Sequence, residues 1–325
     1  MHVLITGAGG MIGRKLVDRL VREGQVGGKT IKRMTLHDIA APEAPKGVAW
    51  QVVTRGGDIA EPSEAAALVA DAPELIFHLA AVVSGEAEAD FDKGYRVNID
   101  GMRHLLEAAR TKGNKPRFVF TSSIAVFGGP LPDPIPDDFH QTPPNSYGAA
   151  KVICEQWLAD YTRRGFIDGV GIRFPGITVR PGKPNAAASG FYSSIIREPL
   201  AGKEAILPVP LTKRNTHASP RAAIGFLMHA AALDGAALGL RRNLNMPGVA
   251  VTTGEQIEAL RKIAGDKVVA RIRQVPDETI MKIFPNESVR FDAKRALALG
   301  FKPDRDFEEI IRIHIEEDRG GQFVA

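Results

Sequence analysis

Only one cysteine, Cys154, occurs in the 325 residues, so no intrachain disulfide can form and a cysteine-rich metal site is excluded. That usage fits a reducing compartment, and the cytoplasm is the expected location. Long apolar runs are missing as well. The most apolar stretch, Leu75 to Val83, spans nine residues and is interrupted by His78; a membrane span needs roughly 18 or more. No lysine/arginine run is long enough to act as a polyanion footprint, and 42 basic against 38 acidic residues leave a net charge of only +4. Neither a membrane nor a nucleic acid is therefore an expected partner. The opening residues, MHVLITGAGGMIG, lack the basic leader, apolar core and small-residue cleavage site of a secretory signal. With 44% hydrophobic and 25% charged residues the composition is that of an ordinary folded protein, and the length suits one large or two ordinary domains.

What is present is alternation. Up to about residue 175, short β-branched runs alternate with longer amphipathic segments, which predicts an α/β fold with a doubly wound parallel sheet covered by helices on both faces. Strands are expected at Val3–Thr6, Met34–Asp38, Val48–Val53, Leu75–His78, Arg117–Thr121 and Gly169–Phe174. Helices are expected near Ile12–Arg22, Ser63–Ala70, Phe91–Lys112 and Ser146–Arg164. Ligands of open α/β sheets collect beyond the carboxyl ends of the strands, where Gly7, Asp38, Asp58, His78–Ala81 and Ser122–Ser123 all fall. The proline- and glycine-rich segments Gly128–Pro144 and Pro175–Pro184 are expected to form rim and lid. A helix over Pro220–Leu233 follows, then short ones over Thr253–Ala264, Asp277–Phe284, Asp292–Leu299 and Asp306–Asp318. The expected division puts residues 1–175, with about 216–240, in the sheet domain. About 176–215 and 241–325 would form a smaller, mostly helical cap that binds substrate.

The first strand leads into Gly7-Ala8-Gly9-Gly10-Met11-Ile12-Gly13, with key glycines three and three apart. Glycine permits positive φ and close approach of backbone to a pyrophosphate, and a helix starting at Met11 offers unpaired N–H groups to the anion. A tight turn with nothing bound would use the same residues, but the position between a first strand and an amphipathic helix favours nucleotide binding. Asp38 ends the second strand. A carboxylate there can accept hydrogen bonds from both adenosine ribose hydroxyls and would repel a 2′-phosphate, favouring NAD over NADP; the bland reading is a solvated turn cap.

Tyr147 and Lys151 lie four apart in a segment that reads as a helix start, with Asn145 or Ser146 as N-cap. That spacing stacks the two on one face, so the ammonium favours the phenolate of a group whose ordinary pKa is about 10. The strand ahead of them ends in Ser122 and Ser123, and a serine hydroxyl can hold a substrate oxygen within the roughly 3 Å reach of a general base. By itself such a pair is more often a half-buried ring beside a solvated charge.

Together these motifs resemble the extended short-chain dehydrogenase/reductases, also called the NAD-dependent epimerase/dehydratase family. Thr6 to Gly13, Asp58-Ile59, His78-Leu79-Ala80-Ala81, Asn98, Ser122 to Gly128 and Tyr147-Gly148-Ala149-Ala150-Lys151 match in order, over roughly residues 1–235. The resemblance implies a Rossmann-type fold, NAD as cofactor, and a homodimer built from the helices near Phe91–Lys112 and Ser146–Arg164. Tyr147 would be the catalytic acid/base, Lys151 would bind the nicotinamide ribose and depress the Tyr147 pKa, and Ser123 would polarise the reacting oxygen. Gly7, Gly10, Met11, Ile12, Gly13 and Asp38 would hold the dinucleotide. Asp58 and Ile59 would flank the adenine, Leu79, Ala80 and Ala81 would line the cofactor, Asn98 would shape the helix behind the active site, and His78 would be scaffold. Phe127 stands where the family often has a tyrosine.

Relatives acting on nucleotide-diphosphate sugars commonly carry an asparagine after the sixth strand. Here Arg173-Phe174-Pro175-Gly176-Ile177 puts Gly176 in that place, which implies a smaller substrate. The segment is more similar to relatives that oxidise small hydroxy or amino acids, threonine dehydrogenases among them. The implied substrate is a short 2-hydroxy sugar acid of the D-erythronate type, oxidised to its 2-oxo acid. A small carboxylate calls for a cation, and Arg180 and Arg221 are the candidates, with His217 as a possible hydroxyl partner. A nucleotide-sugar epimerase or dehydratase using the same Ser, Tyr and NAD is the rival enzyme, and a non-catalytic dinucleotide sensor is the rival of another class. No metal is expected.

Overall fold

Side-chain alternation along the strands divides the sheet's packing into two cores. Val3, Ile5, Leu75, Phe77, Val119, Val170 and Ile172 pack with Leu16, Val17 and Leu20 of helix Met11–Glu23 and with Ala223, Phe226 and Leu227 of helix Pro220–Ala232. The intervening residues Leu4, Ile76, Phe118 and Phe120 meet Leu68, Leu105, Leu106, Cys154 and Leu158 from helices Pro62–Val69, Gly101–Lys112 and Ser146–Arg163. Coverage on both faces is why these strands read as apolar runs rather than as half-polar ones.

The computed structural model describes residues 1–182, 188–283 and 289–325. Seven parallel strands run in the order Asn243–Asn245, Asp168–Phe174, Arg117–Ser123, Leu75–His78, His2–Thr6, Arg33–Asp38, Gln51–Gly56. The chain first builds outward from His2–Thr6 and then crosses back to lay Leu75–His78 on its other side. The switch point between those two strands opens a crevice at their carboxyl ends. All six expected strands are present, the third beginning at Gln51 rather than Val48.

Three features depart from the sequence reading. Asn243–Asn245, in the stretch assigned to the cap, is the seventh strand of the sheet. Ala293, Ala296 and Phe301, also from that stretch, belong to the sheet core. The single helix expected over Phe91–Lys112 is interrupted by a π-helical turn at Arg96–Asp100. Such turns recur at functional sites.

A further core joins Tyr192, Ile195 and Ile196 of helix Phe191–Leu200, Leu260 of helix Thr253–Ala264, and Phe307, Ile310 and Ile311 of helix Phe307–Arg319. A three-stranded sheet of Gly176–Ile177, Arg214–Ala218 and Val249–Thr252 leads into it. The helix expected over Asp277–Phe284 is found at Glu278–Ile283; Phe284, and residues 183 and 184 of the expected lid, lie outside the described residues. No helix among the described residues is long and apolar enough to cross a membrane.

Candidate active site

The glycine loop is built by close backbone approach. Gly7 has φ +76°, and a Cβ there would lie 2.6 Å from the Ala80 backbone nitrogen; at Gly13 it would lie 2.2 Å from the Gly7 carbonyl oxygen. Leu79 N–H also donates to the Thr6 carbonyl at 3.0 Å, so Leu79, Ala80 and Ala81 run alongside the loop at the switch point. Gly10, the N-cap of helix Met11–Glu23, supplies no capping side chain, and the first turn holds no acidic residue. The first N–H groups of this helix are left for an anion, which fits a dinucleotide pyrophosphate.

Asp38 sits beside this loop: Oδ2 accepts from Gly9 N at 2.9 Å and Oδ1 from Ile39 N at 2.8 Å. Each carboxylate oxygen retains a lone pair for a ribose hydroxyl. Asp58 accepts from Ala60 N at 3.0 Å and pairs with Arg96 at 2.6 Å. Burial pushes its pKa up, but the Ala60 N–H and the Arg96 guanidinium outweigh that and hold it below the ordinary value. The Ile59 side chain is spent on core packing, tight enough that a Cβ at Gly101 would lie 2.9 Å from it. Asn98, in the π turn, is a positioning residue: Oδ1 accepts from Val82 N at 2.8 Å and Nδ2 donates to Val82 O at 3.1 Å, fixing the segment after Ala81. His78 is buried, bonded through Nδ1 to the Thr6 hydroxyl at 2.8 Å, and burial lowers its pKa to about 3; it is scaffold.

The Tyr147 helix is held against the end of strand Arg117–Ser123. Asn145 is its N-cap, accepting from Gly148 N at 2.8 Å, and Gly148 is required because a Cβ would lie 2.2 Å from the Ala125 carbonyl. Lys151 is buried; its Nζ donates to the Thr121 carbonyl at 2.8 Å and lies 5.4 Å from the centroid of the Tyr147 ring. Ser123 Oγ accepts from Ala125 N at 3.1 Å, so its proton is left to donate toward a substrate oxygen. Cys154 is buried on the same helix, and burial pushes its thiol up to about 12, so it has no nucleophilic use.

The two candidate arginines separate. Arg180 Nε donates to the Ile177 carbonyl at 3.0 Å and Nη2 to Ser189 Oγ at 3.2 Å, while its backbone N–H donates to Ser193 Oγ and its carbonyl accepts from Arg197. Burial lowers the Arg180 pKa, and its electrostatic interaction with Tyr147 opposes that shift. Arg221 is not brought to this cluster. It is 46% exposed at the start of helix Pro220–Ala232, and its guanidinium pairs with Glu317 at 2.7 Å and Glu316 at 3.2 Å. Its charge is spent on the C-terminal helix.

His217 also departs from expectation. It is fully buried, with Nδ1 3.1 Å from Thr178 Oγ1 and Nε2 2.8 Å from Gln256 Nε2, and burial lowers its pKa to about 3. Both ring nitrogens have protein partners, Thr178 and Gln256, so the ring ties these two segments together. At Gly176 a Cβ would lie only 3.1 Å from Asn215 Nδ2. The space a side chain at 176 would enter is already occupied from the neighbouring strand.

Comparison with known proteins bears on this arrangement. The family model for the NAD dependent epimerase/dehydratase family matches residues 3–217. D-Erythronate dehydrogenase of Cupriavidus necator is 46% identical over 321 residues, covering 98% of each chain, and the Haemophilus influenzae enzyme of that name is 39% identical over 98% of this chain and 100% of its own. A crystal structure described as the nucleoside-diphosphate-sugar epimerase from Agrobacterium tumefaciens superposes with a TM-score of 0.96 at 59% identity, covering 99% of this chain and 95% of that one. With its glycine loop, its Ser, Tyr and Lys and these matches, the chain belongs to the NAD-dependent epimerase/dehydratase family.

Proposed function

We propose that the protein is an NAD-dependent oxidoreductase that oxidises D-erythronate, or a 2-hydroxy sugar acid of the same size, to its 2-oxo acid. The observation that carries this reading is full-length similarity to two D-erythronate dehydrogenases, and the site supplies a consistent chemistry. The substrate carboxylate is proposed to dock on Arg180, whose Nε and Nη2 donate to the Ile177 carbonyl and Ser189 Oγ and whose planar guanidinium carries five N–H donors in all. Ser123 donates to the reacting oxygen. Tyr147, with the Lys151 ammonium held 5.4 Å from its ring centroid, takes the hydroxyl proton as the carbinol carbon becomes a carbonyl. A nicotinamide dinucleotide, which the Gly7–Gly13 loop and Asp38 would hold, would supply the hydride acceptor for that carbon. Asp38 beside the loop, where a 2′-phosphate would meet a carboxylate, supports NAD rather than NADP.

The reading extends to a cytoplasmic homodimer formed through the helices near Phe91–Lys112 and Ser146–Arg163. A 54% exposed Phe91 stacked on Tyr95 at 4.2 Å is the apolar feature that suits such a contact.

Similarity to the Agrobacterium tumefaciens protein described as an epimerase favours a second reading, in which the same groups oxidise and re-reduce one sugar carbon. Mixing the protein with NAD and a panel of four-carbon sugar acids, with NADP in parallel, separates the two. Net accumulation of NADH with D-erythronate supports the dehydrogenase; conversion of a sugar nucleotide without net NADH supports the epimerase.

A further inference from the structure

We infer that Glu155 and Arg173 are a positioning pair that fixes the placement of Ser123 relative to Tyr147; the inference rests on the reaction proposed above. Tyr147, Lys151 and Glu155 follow at intervals of four on one helix and share the face turned to strand Arg117–Ser123. Glu155 has no exposed surface. Its Oε1 accepts from Ser122 Oγ at 2.5 Å and Arg173 Nε at 2.9 Å, and its Oε2 accepts from Arg173 Nη2 at 2.7 Å and Gln141 Nε2 at 2.5 Å. The remaining arm of the guanidinium, Nη1, donates to Asn245 Oδ1 at 3.0 Å, and its carbon lies 5.1 Å from the Phe127 ring centroid.

One buried ion pair thus ties together five pieces of chain: the residue beside Ser123, the Tyr147 helix, the strand end at Arg173, the seventh strand, and the Gln141 segment six residues ahead of Tyr147. Asn245 N–H donates in turn to Asp137 Oδ1 at 3.0 Å, anchoring that rim segment a second time. An apolar pair could fill the same volume and would fold as well, because desolvation offsets most of the attraction in a buried ion pair. What it would lack is direction. Four hydrogen bonds to one carboxylate, two from a planar fork, admit a single mutual placement of strand end, helix and rim. Proton transfer from substrate to Tyr147 depends on that placement to a fraction of an ångström.

The test replaces direction while keeping volume. Glu155→Met/Arg173→Met, made in the full chain, should melt within a few degrees of wild type and bind NADH, followed by nicotinamide fluorescence, within about three-fold. Its kcat should fall by about 10- to 100-fold, the range expected for misplaced reacting groups, with KM for the sugar acid changing less than three-fold. Hydrogen–deuterium exchange should accelerate in peptides covering 121–127 and 141–149 and stay unchanged over 2–6. Arg173→Lys, which keeps the charge but loses the fork, should show the same pattern more weakly and serves if the double variant does not fold. A folded variant with kcat within two-fold of wild type, or with unaltered exchange at 121–127 and 141–149, overturns the inference. Wild-type silence on every sugar acid would contradict the proposed reaction instead, and the exchange data would still judge the pair.

Discussion

Lys151 is tied to Thr121: its ammonium donates to that carbonyl at 2.8 Å while remaining 5.4 Å from the centre of the Tyr147 ring. The charge is therefore fixed by the sheet rather than by the flexibility of its own side chain, and the strand that positions it is the one that ends at Ser123. In the proposed reaction, acid/base and hydrogen-bond donor share one rigid support.

Tyr147→Phe should lower kcat by about 100-fold or more, the range of general acid–base contributions, with NADH affinity within about three-fold. Lys151→Met should lower both turnover and cofactor affinity. Steady-state NADH absorbance and fluorescence titration read the two effects, and full turnover by the phenylalanine variant would remove Tyr147 from the chemistry.

Arg180→Met should raise KM for the sugar acid by about 10- to 100-fold, the equivalent of one or two hydrogen bonds to a charged group. Arg221→Met should leave KM within two-fold and cost less than about 1 kcal/mol of stability, since its partners are partly exposed Glu316 and Glu317. The opposite pattern would exchange their roles.

Much of this was legible in the sequence because the signals are local. The glycine loop and the Tyr147–Lys151 spacing each depend on residues within one turn or one helix face, and the structure places them as those patterns imply. Tertiary facts were not legible. Arg180 and Arg221 look alike in sequence, and only the fold holds one on the Ile177 carbonyl and the other on Glu316 and Glu317. Asn243–Asn245 is too short to show a period, and Glu155 reads as one more charge on an amphipathic helix until Arg173 and Ser122 arrive from distant strands.

Acid should destabilise the protein from the histidine range downward. His78 and His217 are buried with pKa lowered from 6.5 to about 3, so between those values the unfolded chain binds protons that the folded chain refuses. Stability falls as pH drops from about 6.5 toward 3, by on the order of 1 kcal/mol per pH unit for each of the two histidines. Urea midpoints at pH 7, 5.5 and 4.5 check this, and a midpoint that does not move over that range would contradict it.

Gly13→Ala should cost about 1–3 kcal/mol from overpacking and abolish detectable NADH binding, because its Cβ would lie 2.2 Å from the Gly7 carbonyl. Denaturant unfolding and fluorescence titration measure both, and wild-type affinity in this variant would show that the loop can shift without loss.

The most direct test of the account is NADH formation by the wild-type protein supplied with NAD and D-erythronate, with Tyr147→Phe and NADP reactions alongside. The account predicts stoichiometric NADH with wild type, a loss of about 100-fold with the variant, and far slower reduction of NADP. No NADH from D-erythronate or any four-carbon sugar acid, by a protein that binds NAD tightly, would contradict it.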